Sequence, residues 1–175
     1  MAYYKDLREY IKALEKSDNL LRMKRKINKD TELMPLVRWQ YRGLPETKRK
    51  AFFFEQVVDV KGTRYPIPVV TACYAGTRQI YALGMGCALD KIMEKWSHAQ
   101  AHPIEPKLVN KGPVHDEVYK GNNLLDRGGL GEFPVPISTP GFDNGPYLTA
   151  PFWVSKDIET GITNIGTYRS MIKSP

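Results

Sequence analysis

The sequence predicts a mixed α/β fold of the α+β type, in which an N-terminal α/β domain is followed by the first strands of a β-rich domain. Helical and strand-like apolar patterns alternate up to about residue 101. The chain then becomes rich in Pro and Gly, which excludes a long helix. Two strand-like segments around a Gly-containing turn come last. We place the two domains at residues 1–104 and 105–175.

The first element is predicted to be a helix that begins after Asp6. The carboxylate of Asp6 can accept hydrogen bonds from the first helical turn, and Glu9 can reach back toward the preceding backbone, as in a capping box. Apolar side chains then recur every three or four residues on one face: Leu7, Tyr10, Ile11 and Leu14. A strand is predicted next, because apolar and basic residues alternate in "LRMKRKI".

Helices and strands continue to alternate after this strand. A second helix is predicted in "DTELMPLVRWQYRG", with Pro35 in its first turn and Gly43 near its end. "AFFFEQVV" and "IPVVTACYA" are typical of buried strands, joined by a turn at Lys61 and Gly62. Two helices follow in "TRQIYALGM" and "ALDKIMEKWSHAQ". The second of them places four apolar side chains on one side: Leu89, Ile92, Met93 and Trp96.

Composition and residue spacing argue against several classes of function. The net charge of +7 comes from scattered basic residues without a zinc-finger or RNA-binding pattern, so we predict no nucleic-acid partner. No apolar run approaches the roughly 20 residues of a membrane-spanning helix, and the N-terminus lacks a signal peptide's apolar core, so we expect a cytoplasmic protein. Cys73 and Cys87 are predicted to be free buried thiols. His98 and His102 lie one helical turn apart but lack the HExxH pattern of a zinc site.

The last predicted strand carries the residues that suggest a binding site. Its side chains alternate between two faces, with Asn164, Gly166 and Tyr168 on one and Thr163, Ile165, Thr167 and Arg169 on the other. A glycine inside a strand often marks the close approach of a backbone or a ligand. Asn164 has an oxygen that suits a hard cation, and Arg169 has the forked donors that bind a carboxylate or phosphate. The alternative for both residues is an ordinary surface position on a sheet.

Nearly the whole chain resembles the N-terminal part of the UbiD family, the decarboxylases and reversible carboxylases that use prenylated FMN. The likeness begins in "DLREYIKALEKSDNLLRMKR" and continues through "GTRQIYALG" and "GPVHDEVYKGNNLLD". It is most specific in "FPVPISTPGFDNGPYLTAPFWVSKDIETGITNIGTYR". The segment "PISTPG" departs from the family, many members of which have a His near this position. The resemblance implies that residues 105–175 begin a split-β-barrel flavin-binding domain.

The resemblance also implies a cofactor site on the predicted hairpin. Asn164 would bind a divalent cation, usually Mn²⁺, that bridges to the flavin phosphate, with K⁺ as an additional cation. Five residues would line the prenylated FMN: Thr149, Ile165, Gly166, Thr167 and Tyr168. Arg169 would lie against the same cofactor, hold the carboxylate of the substrate and pair with an active-site Glu.

The implied reaction is a reversible, prenylated-FMN-dependent decarboxylation of an aromatic or α,β-unsaturated carboxylic acid, with the flavin as electron sink. The implied partners are this acid, CO₂ and a flavin prenyltransferase that supplies the cofactor. In the family, a His and a Glu that complete the cation site, the catalytic glutamates and the domain that builds a homo-oligomer lie downstream of the Arg strand. We therefore expect these 175 residues to be inactive alone, as a fragment, a truncated form or one subunit of a split enzyme. A non-catalytic accessory subunit of a UbiD-like complex is the alternative, and a split-barrel flavin module with ordinary redox chemistry is a third reading.

Overall fold

A four-stranded sheet forms the centre of the N-terminal half in the computed structural model, which describes residues 3–126 and 128–174. Strand β1 (Leu20–Asn28) runs parallel to β2 (Ala51–Val58). The short strands β3 (Arg64–Tyr65) and β4 (Val69–Thr71) pair antiparallel with the other edge of β2. β2 is therefore hydrogen-bonded on both sides, and β1 is an edge strand. The mixture of helices and strands confirms the predicted α+β class.

Helices cover both faces of this sheet because successive side chains of β2 point to opposite sides. Helices α1 (Leu7–Lys16) and α3 (Arg78–Met85) pack on one face and α2 (Leu33–Gly43) on the other. The first apolar cluster joins α1 and α3 to the sheet through Tyr10, Leu14, Leu20, Ala51, Cys73 and Ile80. The second joins α2 to the sheet through Ile27, Leu33, Val37, Phe52, Phe54 and Val57.

The predicted signals at the ends of the first two helices are confirmed. Asp6 Oδ1 accepts the backbone N–H of Glu9 at 2.9 Å, and Glu9 Oε2 reaches back to the backbone N–H of Lys5 at 2.6 Å. The hydrogen bond to Glu9 is the largest cause of the lowered pKa of the Asp6 carboxyl. Pro35 lies in the first turn of α2, where its missing N–H group costs no helical bond, and α2 ends at Gly43.

The strand predicted in "IPVVTACYA" is shorter than expected. β4 ends at Thr71 because Ala72 adopts a left-handed backbone conformation, with φ of 55°, that turns the chain away from the sheet. Gly76 permits this turn, since a Cβ atom there would lie 2.6 Å from the carbonyl oxygen of Ala72. Alanine rarely adopts such a φ, so the turn cannot be predicted from the residue type at position 72.

The fourth helix is confirmed, but its apolar side is not buried. A 3₁₀ turn at Leu89–Lys91 leads into α4 (Ile92–Ala101), in which no residue is buried and the side chains of Met93 and Trp96 are 70% and 47% exposed. The chain then runs exposed and largely without regular structure to the short α5 (Asn122–Asp126). Within the described ranges, no helix has the length and apolar character to cross a membrane.

As predicted, the Pro- and Gly-rich segment is an ordered path that leads into strands, which form two short pairs. Val135 is buried, and the backbone N–H of Tyr147 donates to the carbonyl of Pro136 at 3.3 Å. Strand β5 (Tyr147–Leu148) pairs with β8 (Ser170–Met171), and β6 (Phe152–Lys156) pairs with β7 (Thr163–Thr167), both antiparallel. The predicted hairpin is thus confirmed, and the described residues form no closed barrel.

Candidate functional site

The candidate site lies where the C-terminal hairpin is interrupted. Leu148 pairs with Ser170 and Phe152 pairs with Thr167, so residues 149–151 on one side face only residues 168 and 169 on the other. Such a one-residue bulge disrupts the ladder and re-aims the neighbouring side chains. The prediction of two continuous strands was therefore wrong, since β7 ends at Thr167, before Tyr168 and Arg169. Pro151 accounts for part of the break, because proline has no N–H group to donate to a ladder.

Arg169 lies in the unpaired stretch between the two strand pairs, and its side chain lies over an aromatic ring. Its guanidinium carbon is 4.0 Å from the centre of the Tyr147 ring, and its Nη2 is 3.5 Å from Asp143 Oδ1. Tyr147 first, and then Asp143, raise the pKa of Arg169 above its ordinary value, so the side chain stays charged. The side chain is still 60% exposed, so a bound carboxylate can reach its N–H donors.

Hydrogen bonds connect Asp143 to the N-terminal half of the chain. Its carboxylate is only 13% exposed, and Oδ2 accepts the backbone N–H of Thr139 at 2.7 Å. Arg38, on helix α2, donates from Nη2 to the carbonyl of Ser138 at 2.7 Å and to Thr139 Oγ1 at 2.9 Å. Arg38 therefore attaches the turn that carries Asp143 to helix α2, which packs on the four-stranded sheet.

A mainly apolar cleft of about 600 Å³ opens between β4 and the Pro-rich segment. Tyr147 and Thr149 contribute to its wall, so the cleft begins beside the ring that supports Arg169. Thr71 also lines it, and in the part of the chain that the structure describes its Oγ1 is buried without a hydrogen-bond partner. Burial raises the pKa of the Cys73 thiol in the same wall, which keeps the thiol protonated and unreactive. Cys73 is free and buried, as predicted, whereas Cys87 is free and only partly buried.

The other predicted residues fall on two faces of the hairpin. Asn164 lies opposite Ser155, and Gly166 lies opposite Trp153; directly paired residues share a face. Ile165 and Thr167 lie on the opposite face, opposite Val154 and Phe152. The side chains of residues 164–167 therefore do not meet at one point, and any ligand that contacts all four would touch the backbone of some of them.

The metal prediction rests on one residue of this hairpin. Asn164 is exposed and has the Ser155 hydroxyl group as its cross-strand neighbour, so two oxygen-bearing side chains lie side by side. Among residues 3–126 and 128–174, no three His, Cys, Asp or Glu side chains come together in a way that could hold a metal ion. His98 of α4 and His102, the residue that follows this helix, are both exposed and stack with 4.2 Å between their ring centres, without a third such side chain beside them in the described ranges.

Gly166 makes room for Tyr168 in this structure. A Cβ atom at position 166 would lie 2.5 Å from Cε2 of the Tyr168 ring. The space that we predicted for a cofactor is thus filled by a neighbouring side chain that is itself 65% exposed. A ligand could reach the backbone of Gly166 from this side only after the ring rotates away.

We expect Gly166→Ala to lower the free energy of unfolding of the full-length protein by less than about 1 kcal/mol, because the exposed Tyr168 ring can move into solvent. Gly76→Ala is the matched comparison. Its new Cβ would meet a backbone oxygen rather than a mobile ring, and we expect a loss of about 1–3 kcal/mol. Urea unfolding of both variants measures the difference; equal losses would contradict the assignment of the contact to a mobile side chain.

Sequence reasoning missed the residues that contact or support Arg169. Asp143, Tyr147 and Thr139 lie in "STPGFDNGPY", part of the segment that carries the strongest family resemblance, but no role was assigned to them. Arg38 lies on α2, 131 positions before Arg169 in the sequence. The nearness of one acidic and one aromatic residue to the last strands was the only hint in the sequence, and it has no periodicity.

Comparison with known proteins identifies the family. The model of the 3-octaprenyl-4-hydroxybenzoate carboxy-lyase N-terminal domain matches residues 11–100, and the model of the Rift-related domain of the same carboxy-lyases matches residues 107–175. Together the two models match most of the chain. The chain belongs to the UbiD family.

Solved structures agree with this assignment. The UbiD-class enzyme HmfF from Pelotomaculum thermopropionicum, in complex with FMN, is 29% identical with a TM-score of 0.78 over 97% of this chain and 35% of that one. An evolved dimeric form of HmfF is in complex with prenylated FMN. Vanillic acid decarboxylase from Sedimentibacter hydroxybenzoicus, in its open form, is 26% identical with a TM-score of 0.76 over 99% of this chain and 36% of that one.

The chain matches only part of each relative. An uncharacterized protein from Aquifex aeolicus (strain VF5) is 30% identical over 189 residues, which cover 97% of this chain and 36% of that protein. The chain thus spans about a third of the length of the relatives that it matches.

Proposed function

We propose that this chain supplies the N-terminal and flavin-binding parts of a prenylated-FMN-dependent carboxy-lyase. Residues 1–104 would form its α/β domain, and residues 105–175 would begin its flavin-binding domain. The substrate would be an aromatic or α,β-unsaturated carboxylic acid, decarboxylated in a reversible reaction. The observation that carries the proposal is the exposed guanidinium group of Arg169, supported by Tyr147 and next to an apolar cleft.

Arg169 would bind the carboxylate of the substrate. Two of its N–H groups can donate charge-assisted hydrogen bonds to the two carboxylate oxygens, which fixes the direction of the bond to be broken. The apolar wall beside Tyr147 offers a surface that excludes water from a flat, unsaturated group. The relatives support this class of substrate, since one of them is a vanillic acid decarboxylase.

The hairpin has residue types that suit a flavin phosphate and its cation. The amide oxygen of Asn164 suits a hard ion such as Mn²⁺, and the Ser155 hydroxyl group lies on the same face. Two such oxygens fall short of a full ligand set, so a His and a Glu from a longer chain would complete it, as the family resemblance implies. Thr149, Ile165, Gly166, Thr167 and Tyr168 would lie along the cofactor. When bound, the prenylated flavin supplies the electron sink that the loss of CO₂ requires.

The remaining partners follow from the same proposal. A flavin prenyltransferase would supply the cofactor. A homo-oligomer would form through a further domain, as the family resemblance implies, and K⁺ would be a second cation of the site.

We expect Asn164→Ala in the full-length protein to weaken the binding of Mn²⁺ by at least about tenfold, because one oxygen ligand is lost. Flavin should be lost together with the metal, because Asn164 would hold the flavin phosphate through this cation, as the family resemblance implies. Metal analysis and flavin absorbance after gel filtration measure both. Thr163→Ala, an exposed change on the opposite face of the same strand, is the control and should retain metal and flavin. Equal retention by the two variants would contradict the metal assignment.

A further inference from the structure

Two side chains that no family resemblance assigned contact the guanidinium group of Arg169. The Tyr147 ring lies beneath it, with 4.0 Å between the guanidinium carbon and the ring centre. Asp143 Oδ1 lies 3.5 Å from Nη2 of the same group. Both residues belong to the turn-rich segment that leads into β5 rather than to the strand that carries Arg169.

These contacts restrict different motions of the guanidinium group. A planar guanidinium that lies over an aromatic ring keeps its plane close to that ring, and the attraction between cation and ring holds it there. The carboxylate of Asp143 lies near Nη2, at one end of the guanidinium group. Its negative charge opposes rotation of the guanidinium group within its own plane. At 3.5 Å, Asp143 Oδ1 makes only a long contact to Nη2. The other N–H donors of the Arg169 guanidinium group therefore stay available to a ligand.

Asp143 is itself held in place. Its Oδ2 accepts the backbone N–H of Thr139 at 2.7 Å, and its own backbone N–H donates to the carbonyl of Thr139 at 2.9 Å. Arg38 then binds Ser138 and Thr139 from helix α2. The carboxylate thus has a fixed position relative to the sheet layer, whereas a side chain on an open turn would not.

We infer that Asp143 and Tyr147 are positioning residues, which hold the guanidinium group of Arg169 in one orientation before a carboxylate binds. The inference rests on the proposed function of Arg169 as the group that binds the substrate carboxylate. Holding the donor fork in advance reduces the conformational freedom that binding would otherwise remove. It also fixes the direction from which the carboxylate approaches.

The test measures the reactivity of Arg169 in the full-length holoprotein with phenylglyoxal, which reacts with the uncharged form of an accessible guanidinium group. The variants are Asp143→Asn, which removes the charge and keeps the shape, and Tyr147→Leu, which removes the ring. Tyr147→Phe keeps the ring and is the matched control. Peptide mass spectrometry measures the modification rate of Arg169 relative to Arg8, which pairs with Asp6 at the same distance of 3.5 Å and serves as the internal reference.

We expect Asp143→Asn and Tyr147→Leu each to raise the rate at Arg169 several-fold, with no change at Arg8. Tyr147→Phe should match the wild type. The same two variants should raise KM and lower kcat for CO₂ release, because a less ordered guanidinium group both binds and orients the carboxylate less well. A general loss of folding would raise the rate at Arg22, whose side chain is 35% exposed and paired with Glu15 and Glu55, and would thereby be told apart from loss of positioning.

The outcomes separate this inference from the proposed function. If Arg169→Ala leaves CO₂ release unchanged, the proposed role of Arg169 fails, whatever the modification rates are. If Arg169→Ala abolishes CO₂ release and a variant of Asp143 or Tyr147 leaves the rate at Arg169 unchanged, the positioning role of that residue is overturned. If Asp143→Asn fails to fold, the comparison of Tyr147→Leu with Tyr147→Phe still decides the inference for the ring.

Discussion

Replacing Arg169 by lysine in the full-length protein is expected to lower kcat/KM for CO₂ release by about 100-fold or more, a loss of the size seen when one donor to a reacting oxygen is removed. Lysine keeps the positive charge, but a single ammonium group cannot donate to both carboxylate oxygens in the geometry of the guanidinium fork. It also lacks the flat face that lies over the Tyr147 ring. Arg169→Ala removes the charge as well and should abolish detectable turnover.

The measurement is CO₂ release by holoprotein whose flavin content is checked by absorbance. Both variants should retain their flavin, because Arg169 contributes its charge to the substrate rather than to the phosphate end of the cofactor. Arg8→Ala is the control and should leave kcat/KM unchanged, because Arg8 lies in the first turn of helix α1 with its side chain 87% exposed. Unchanged turnover in Arg169→Ala would contradict the role proposed for this residue.

Phe54→Ala is expected to lower the free energy of unfolding by about 3–5 kcal/mol, the usual cost of emptying a buried phenylalanine site. Phe54 is fully buried on the central strand β2 and stacks on Phe52, with 5.6 Å between the ring centres. Met23 and Val69 are its neighbours on the flanking strands, so a cavity here cannot close without moving the sheet. Urea unfolding of the full-length protein measures the loss.

A phenylalanine outside the core provides the control for this prediction. Phe142 is 85% exposed, and its replacement by alanine should change the free energy of unfolding by less than about 0.5 kcal/mol. Similar losses for Phe54→Ala and Phe142→Ala would mean that β2 is not the centre of the folded core.

The elements that follow local rules could be predicted from the sequence. The capping residue Asp6, the tolerated Pro35 and the apolar spacing of α1 depend on neighbours within a few residues, so a short window contains the information. The same holds for the C-terminal hairpin, whose strands and turn are adjacent in the chain. The first three formed where the pattern indicated, and the hairpin formed in β6 and β7, although its predicted strands are interrupted at residues 149–151 and 168–169.

Breaks in regular structure were harder to predict. The left-handed Ala72 ends β4, although alanine has no intrinsic preference for that conformation. The one-residue bulge between residues 149–151 and 168–169 is invisible to a rule of strict alternation, and only Pro151 hinted at it. Neither break follows from the alternation of apolar and polar residues within its own strand.

The contacts around Arg169 show the same limit at the candidate site. The strand pattern placed Arg169 among the candidate binding residues, and the family resemblance implied that it binds the substrate carboxylate. Its neighbour Asp143 lies 26 positions earlier in the chain, and the turn that orients Asp143 is held by Arg38 from another layer. Such contacts follow from the way in which the layers pack, and a single sequence contains no periodic signal for them.

The most direct test of the central claim is to identify the flavin that copurifies with the full-length protein when it is produced together with a flavin prenyltransferase. Mass spectrometry of the extracted cofactor distinguishes prenylated FMN from FMN. We predict prenylated FMN in the wild type and little flavin of either kind in Asn164→Ala. Unmodified FMN alone, or no flavin in the wild type, would contradict the proposal that this chain contributes to a prenylated-FMN-dependent carboxy-lyase.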